Sequence, residues 1–313
     1  MSVDVSIIIP VLNDAAMLAR CLESLKAFAN GPVSYEVIVV DGGSTDESVR
    51  VAREFGIEAL ITERGRAKQM NAGAARATGK WLWFLHADCV PHADSLEAIK
   101  QADALWGCFI HQISPSSFLL EYVEAGDYLR SRVLGIPYGD QGIFVRKEVF
   151  VEVGGYPDEP ILEEVLLALK LRKRKWPVVL PRTLKSDARR WQRRGVIGVT
   201  RANWTVMYRY FIRRRPLDEA AEYYRQQQAL PHSEQFHLIS FIAACLAAAV
   251  LLGIRLNAPD PVVPDHLPGV AVHVKLSRTI LIAVDIICVA AVALFLAEWF
   301  LRWRRDKKRG TTS

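Results

Sequence analysis

Residues 5–11, VSIIIPV, decide the fold class of this chain. The run is continuously apolar and rich in β-branched residues, which is typical of a strand buried on both faces of a parallel sheet. Residues 36–40, EVIVV, and 81–85, WLWFL, show the same character, and helix-like segments separate the three runs. This alternation predicts a doubly wound, mostly parallel α/β sheet, which would bind its ligand at the carboxyl ends of the strands.

The remaining elements are predicted from periodicity and turn residues. Asn13 or Asp14 can cap a first helix that carries Leu18, Leu22 and Leu25 on one face. Further helices are predicted from about 46 and over 66–77, 116–134, 162–174, 188–211 and 217–230, and further strands over 59–62, 105–113, GDQGIFVR and 177–180.

Two apolar runs follow this domain, at 236–254 and 279–301. Each is long enough to cross a hydrocarbon core of roughly 30 Å. The predicted organisation is therefore a catalytic domain over 1–215, an amphipathic linker over 216–235, a transmembrane hairpin over 236–302 and a basic tail over 303–313.

The distribution of basic residues predicts the orientation of this hairpin. Arginines precede the first run, and RWRRDKKR follows at the end of the second, whereas the loop 255–278 holds three basic residues. Basic flanks stay in the cytoplasm. We expect a multi-pass protein of the cell (inner) membrane, with the catalytic domain and both termini in the cytoplasm. The amino terminus lacks the basic region that a signal peptide would carry.

Charge and cysteine content narrow the function classes. The net charge is +6, and residues 172–215 hold fifteen Lys and Arg against one acid, Asp187. Such a segment suits a solvated face, anionic lipid headgroups or a diphosphate-bearing substrate. No nucleic-acid-binding motif accompanies it, so nucleic acid is not expected as a partner.

The five cysteines include no C-x-x-C pair, which argues against a disulfide framework or a zinc knuckle.

Three clusters at predicted strand ends could carry chemistry. Asp41 opens DGGSTD, where Gly42 and Gly43 let the backbone approach a base or ribose. The same turn could instead cap a helix. The chain lacks the G-x-x-x-x-G-K-[ST] pattern, which excludes a P-loop. It also lacks a G-x-G-x-x-G after its first strand, which weakens the case for a dinucleotide-binding fold.

The second cluster is RGRAKQMNAGAARATG, in which Arg64 and Arg66 approach a helix N-terminus, a favourable place for an anion. Its small residues also suit a helix packed tightly on the sheet. The third cluster is His86-Ala87-Asp88, which follows WLWFL. An acid at that position suits a divalent cation that carries phosphate oxygens, and equally a structural cap of the next loop.

In order and spacing, these clusters resemble the family-two glycosyltransferases with the GT-A fold, over roughly 5–205. FLHAD, GDQGIFVR and ARRWQRRG resemble a bacterial subgroup of that family. The resemblance implies a nucleotide pocket formed by Pro10, Asn13 and Asp41, with Gly43 at the donor. It also implies that His86-Ala87-Asp88 replaces the D-x-D metal motif, with Asp88 and His86 as ligands of Mg²⁺ or Mn²⁺.

The resemblance extends to the acceptor side of the site. Glu163 and Glu164 match the family's acidic pair, whose second member is the catalytic base, and Asp140 in GDQG is a reserve candidate for base or acceptor contact. Arg190 and Trp191 match the R-W of a Q-x-x-R-W element that contacts the diphosphate and the acceptor. Asp187 stands where the Gln would be.

The predicted function is a membrane-anchored, inverting transfer of sugar from a nucleotide sugar, a UDP-sugar by preference, to a lipid or membrane-associated acceptor. Asp88 with its cation, Arg66 and Arg190 would neutralise the departing diphosphate. Glu164 would act as the base, and burial is expected to raise its pKa. The alternatives are a membrane-bound nucleotidyl- or phosphotransferase and a non-catalytic scaffold.

Overall fold

The structure is a computed structural model and describes residues 3–211 and 213–229. Its strands are β1 (Val5–Val11), β2 (Tyr35–Asp41), β3 (Leu60–Ile61), β4 (Trp81–Phe84), β5 (Cys89–Pro91), β6 (Trp106–Ser114), β7 (Phe144–Arg146) and β8 (Val178–Asp187). Its helices are α1 (Ala15–Leu25), α2 (Ser48–Glu54), α3 (Arg66–Arg76), α4 (Ser95–Ala102), α5 (Phe118–Leu129), α6 (Lys147–Glu152), α7 (Glu163–Leu171), α8 (Arg189–Arg194), α9 (Val196–Phe211) and α10 (Leu217–Ala229).

The described strands form one sheet in the order β3-β2-β1-β4-β7-β6-β8-β5. The pairs β1–β2, β1–β4, β2–β3 and β6–β8 are parallel, whereas β4–β7, β6–β7 and β5–β8 are antiparallel. The sheet is therefore mixed: most of its strands run in one direction, as predicted, and β5 and β7 run in the other. β7 follows the 3₁₀ turn Gly139–Gln141 and runs back between β4 and β6.

The core lies between this sheet and the helices on its faces. Every residue of β1 is buried, as the run of apolar side chains predicts, and Trp81 and Trp83 of β4 are fully buried beside it. A Cβ on Gly73 of α3 would lie 2.5 Å from Ile8 Cγ2, so the small residues of this helix let it pack directly on β1.

Several boundaries differ from the predicted ones for local reasons. The helix predicted over 188–211 is divided at Gly195, whose φ of +70° separates α8 from α9. α5 ends at Leu129 and continues as a π turn over Arg130–Leu134. β8 extends to Asp187 because β6 and β5 both pair with it. Periodicity did not predict the short elements β5, α4 and α6.

The chain divides into two compact units, and the candidate site belongs to the first, which comprises Met1–Arg190 and Leu217–Ala221. The second unit begins at Trp191 and contains α9. The predicted hairpin over 236–302 and the basic tail lie outside the described residues. Within the described ranges, no helix combines the length and the apolar character needed to span a bilayer.

Candidate active site

The site starts from the register of β1 and β2, in which Val11 faces Asp41. Asp41 is only 1% exposed. Its Oδ2 accepts the backbone N–H groups of Gly43 at 2.9 Å and Ser44 at 2.8 Å. Its Oδ1 is buried and has no hydrogen-bond partner within the described part of the chain. One carboxylate oxygen thus holds the Gly-Gly turn, and the other is available to a ligand.

Two polar residues hold the neighbouring loops in place. Asn13, in the left-handed region at φ +52°, accepts the Thr45 backbone N–H at 2.7 Å. The side-chain amide of Gln69 donates to the carbonyls of Val11 and Val40, both at 2.8 Å. Gln69 was not predicted from the sequence, although its position on the inner face of the predicted helix 66–77 is a signal that could have found it.

The other two residues predicted for the nucleotide pocket have different settings. Pro10 is buried within β1 opposite Val40, so it shapes the strand. Gly43 has φ +86°, and a Cβ at this position would meet nothing within 4 Å. Its backbone therefore faces open space beside Asp41, as a backbone that approaches a ligand requires.

Arg66, His86, Glu163 and Glu164 form a second group of contacts, the Arg66 cluster. Arg66 Nη1 lies 3.2 Å from Glu163 Oε1 and 3.1 Å from Glu164 Oε1. His86 Nε2 lies 3.1 Å from Glu164 Oε1. The carboxylates begin α7 directly after Leu162, whose φ of +62° turns the chain into the helix. The structure therefore brings together residues predicted for three separate roles.

The charges of this cluster set the protonation of the two glutamates. Burial would raise the pKa of Glu164, but Arg66 and His86 outweigh it and lower that pKa to about 2. Burial raises the pKa of Glu163, and the neighbouring Glu164 raises it further. The expectation of a raised pKa for Glu164 is thus reversed. The reason is tertiary: Arg66 and His86, from distant segments, meet the same carboxylate.

The turn Gly139–Gln141 lies directly against this cluster. A Cβ on Gly139 would lie 2.2 Å from Glu164 Oε1 and 2.4 Å from His86 Nε2, so any larger residue there would displace these two side chains. The next residue, Asp140, has a side chain that is 31% exposed. Its Oδ1 is buried and has no hydrogen-bond partner among the described residues. Asp140 therefore stays a candidate for base or acceptor contact.

A third group, the His111 cluster, lies behind Asp140 and consists of His111, Asp127, Arg130 and Ser186. His111 Nδ1 is 2.8 Å from Asp127 Oδ2, and its Nε2 is 2.7 Å from Ser186 Oγ and 3.8 Å from Asp140 Oδ2. Arg130 donates to Asp127 Oδ1 at 2.6 Å. His111 stands in a strand without any recognisable motif, so the cluster could not be predicted from the sequence.

These contacts make His111 a buried cation. Burial would lower its pKa, but Asp140, Asp127 and Glu124 outweigh burial and raise the pKa to about 9. Burial would likewise raise the pKa of Asp127, but Arg130 and His111 lower it. At neutral pH the cluster is therefore an alternating chain of charges, Arg130, Asp127, His111 and Asp140.

Two sets of residues come into question for a divalent cation. Within the described ranges, His111, Asp127 and Asp140 form a possible metal site, because their ligand atoms lie within 4.8 Å of one another. However, both nitrogens of His111 are engaged, and Arg130 already neutralises Asp127. A cation fits poorly beside that guanidinium.

Asp88 fits a cation better. Asp88 follows β4 and is half-buried, and its Oδ1 lies 3.7 Å from the Cys89 thiol. A carboxylate oxygen is the type of ligand that Mg²⁺ and Mn²⁺ prefer. His86 instead turns Nε2 to Glu164, so its predicted role as a ligand stays a prediction.

The R-W element is placed at the end of the first unit. Arg190 is the last residue of that stretch, and Trp191 begins the second unit, so their predicted contacts with the donor stay predictions. Asp187 pairs with Arg20 at 3.2 Å. Arg189 makes a bidentate ion pair with Asp14, in which Nη1 lies 2.7 Å from Oδ1. The Asp88 carboxylate also interacts electrostatically with the Arg189 guanidinium. Arg189 was not predicted from the sequence.

The mixed sheet, with Asp41 at the end of β2 and His86-Ala87-Asp88 just after β4, defines a GT-A-like α/β fold. The mannosyltransferase PcManGT from Pyrobaculum calidifontis, solved with GDP-Man and Mn²⁺, superposes with a TM-score of 0.53 at 20% identity over 94% of this chain and 87% of that one. This likeness establishes the fold.

Sequence relatives of this chain are named glycosyltransferases. Residues 6–103 match the family Glycosyl transferase family 2, and the matched segment contains Asp41, Arg66, His86 and Asp88. A PGL/p-HBAD biosynthesis glycosyltransferase of Mycobacterium bovis is 40% identical over 48% of this chain. A dolichyl-phosphate beta-glucosyltransferase of Drosophila melanogaster is 36% identical over 34% of this chain and 38% of its own length. The chain spans 62% of the length of the mycobacterial relative.

Proposed function

We propose that the chain is an inverting glycosyltransferase of the cell (inner) membrane, which moves a sugar from a nucleotide sugar, a UDP-sugar by preference, to a lipid or membrane-associated acceptor. The observation that carries this proposal is the buried Asp41 carboxylate, whose free oxygen lies at the strand edge of the segment that matches family 2. The Drosophila relative, which is named for dolichyl phosphate, supports a lipid acceptor.

Asp41 and Asp88 would divide the work of holding the donor. The free Oδ1 of Asp41 accepts a hydrogen bond from the base or the ribose, while the open backbone at Gly43 lets the nucleotide approach. Asp88 would hold Mg²⁺ or Mn²⁺, and the cation, when bound, offsets the negative charge of the departing diphosphate. Arg66 and the predicted Arg190 would add positive charge at the same leaving group.

Arg66 would also control the base. Its side chain is 52% exposed, and it contacts both Glu163 and Glu164. A bound diphosphate would compete with these carboxylates for the guanidinium. Loss of that contact removes a cause of the lowered Glu164 pKa, so donor binding would raise the basicity of Glu164 when the acceptor hydroxyl must lose its proton.

The acceptor follows from the chain's apolar and basic segments. The runs 236–254 and 279–301 would anchor the protein, and the basic stretch 172–215 would attract anionic headgroups. Each well-placed charge contributes about 1 kcal/mol near such a surface. An anchored enzyme meets an acceptor that cannot leave the bilayer.

The test uses the full chain in nanodiscs with Mn²⁺ and bacterial lipid extract, with UDP- and GDP-sugars labelled once in the sugar and once in the phosphate. We expect sugar label in the organic phase, with a large loss in Asp41→Asn and Asp88→Ala. Glu58→Gln, a change of a carboxylate whose side chain is 82% exposed, is the matched control. Phosphate label in the lipid would favour a phosphotransferase instead. The absence of donor binding by calorimetry would favour a scaffold.

A further inference from the structure

The outer face of α5 carries an exposed apolar stripe. Phe118, Leu119, Tyr122 and Leu129 are 69%, 49%, 61% and 37% exposed. Their spacing places them on one side of the helix, and the exposed Ala125 and Gly126 continue the same side. This stripe therefore runs along the whole length of α5.

The stripe differs from the scattered apolar residues that any soluble surface shows. Four large side chains are contiguous, and the rings of Phe118 and Tyr122 pack edge to face with their centroids 5.0 Å apart. A contiguous apolar patch of this kind marks an interaction surface.

A basic rim with a tryptophan adjoins the stripe. The Trp176 side chain, 49% exposed, donates its indole N–H to the Arg132 carbonyl at 2.9 Å. Arg172 donates to the Leu134 carbonyl at 2.6 Å. Both contacts tie residues 172–176, RKRKW, to the π turn that continues α5, and Lys173 and Lys175 are exposed there.

We propose that the stripe on α5 rests in the interfacial layer of an anionic phospholipid bilayer, with Trp176, Lys173 and Lys175 at the headgroups. An exposed apolar helix face beside Trp and Lys is the composition of helices that lie in the membrane interface. The cations complement anionic lipid. The inference rests on the proposed membrane acceptor and names the face through which the domain would meet it.

The same helix connects this face to the site. Its buried side carries Asp127, which binds His111, and His111 lies 3.8 Å from Asp140. A helix with its side chains is about 10 Å across. The stripe and the His111 cluster therefore lie on opposite sides of α5, about one helix diameter apart.

The experiment places a fluorescent NBD label on the full chain at one position at a time, with Cys245 and Cys288 replaced by alanine. The labels are at Tyr122→Cys and, as the control, at Ile61→Cys, where the native side chain is 57% exposed. Ile61 lies in β3, five strands from β6, on which α5 packs; at about 4.8 Å a strand the separation is roughly 24 Å. Because the apolar carboxyl-terminal runs would keep any variant on the vesicles, the labels report which face meets lipid.

In vesicles of phosphatidylcholine and phosphatidylglycerol that contain doxyl-labelled lipid, we expect quenching of the label at 122 to be at least twofold stronger than at 61. Lys173→Glu with Lys175→Glu should reduce that difference by half or more. Equal quenching at the two positions overturns the proposal, and so does unchanged quenching in the charge variant. Protection of position 122 that depends on protein concentration and not on lipid would identify a second copy as the occupant. UDP-sugar binding is measured in parallel on the same protein. Its absence would contradict the proposed donor chemistry, whereas the quenching result alone decides which face meets lipid.

Discussion

The Arg66 cluster and the His111 cluster are built from the same parts and differ in access to solvent. Each joins an arginine and a histidine to carboxylates, which are Glu163 and Glu164 in the first and Asp127, with Asp140 adjoining, in the second. The Arg66 side chain is 52% exposed, whereas those of Arg130 and His111 are 13% and 0% exposed. A diphosphate can reach the first arginine, while the second is held by Asp127, Gln141 and the ring of Tyr138.

This difference in exposure implies different roles: the Arg66 cluster can exchange its ion pairs, whereas the His111 cluster supports the structure. Ion pairs that a ligand can enter are able to exchange partners, whereas buried pairs keep theirs, because loss of one partner leaves an uncompensated charge. The two clusters meet at the turn Gly139–Gln141: Gly139 lies against Glu164, and Gln141 accepts from Arg130 at 3.1 Å. The buried His111 cluster would thus hold the turn Gly139–Gln141 in place, and the Arg66 cluster would exchange its ion pairs beside that turn.

The largest effect is expected at the Arg66 cluster. Glu164→Gln removes the proposed base and should lower kcat by about 10²- to 10⁴-fold, the usual range for general base catalysis. Steady-state sugar transfer measures the loss, and calorimetry should show a donor Kd close to that of the wild type. Glu163→Gln, a change of the neighbouring carboxylate, is the matched control and should cost less. A greater loss in Asp140→Asn than in Glu164→Gln would make Asp140 the base.

The next-largest effect is expected on stability, in the His111 cluster. Asp127→Asn leaves Arg130 and His111 without their shared carboxylate and should lower the free energy of unfolding by about 3–5 kcal/mol, as for other broken buried pairs. Urea unfolding of the full chain in detergent gives this value. Glu121→Gln, on the exposed side of the same helix, should change it by about 0.5 kcal/mol or less. A loss below about 1 kcal/mol in Asp127→Asn would contradict the assignment of a charged support.

A pH dependence sharpens the same point. The pKa of His111 is raised from 6.5 to about 9, so its contribution to stability is complete below pH 6.5 and disappears as pH rises through 9. At about 1.4 kcal/mol per pKa unit, the loss is on the order of 3–3.5 kcal/mol. Unfolding free energies at pH 6 and pH 9.5 measure it. His111→Gln should flatten that interval, and an unchanged slope in this variant would assign the titration to another group.

The smallest effect concerns the arginine that exchanges partners. Arg66→Gln removes one cause of the lowered Glu164 pKa in the donor-free protein, so the acidic limb of the pH profile of kcat/KM for the donor should move to higher pH. Because Arg66 is half exposed, the donor KM should rise only about two- to fivefold. An acidic limb that stays in place would show that His86 alone sets the Glu164 pKa.

Much of the fold could be predicted from the sequence, because local pattern decides it. The apolar runs of β1, β2 and β4 and the turn residues after Asp41 identify the strands and the edge where the site lies. The direction of β7 could not be predicted, because a three-residue strand carries no periodicity and pairs with neighbours that are distant in the chain.

The candidate site shows the same division. Asp41 and Arg66 could be chosen by residue type and position, and Glu164 by its match to the acidic pair of the family that the chain resembles. The pKa of Glu164 could not, since it depends on Arg66 and His86, which lie 98 and 78 positions away along the chain. Gln69 and His111 act through side-chain contacts between elements; the helix position of Gln69 is a signal in the sequence, whereas nothing in the sequence indicates the partners of His111.

Gly139 has a practical consequence for anyone who wishes to redirect this enzyme toward new acceptors. The GDQG turn invites randomisation, because it borders the place where an acceptor would enter. Yet even a methyl group at its first position would push apart the two side chains that meet there. A useful mutant library would therefore hold position 139 constant and vary the residues around it.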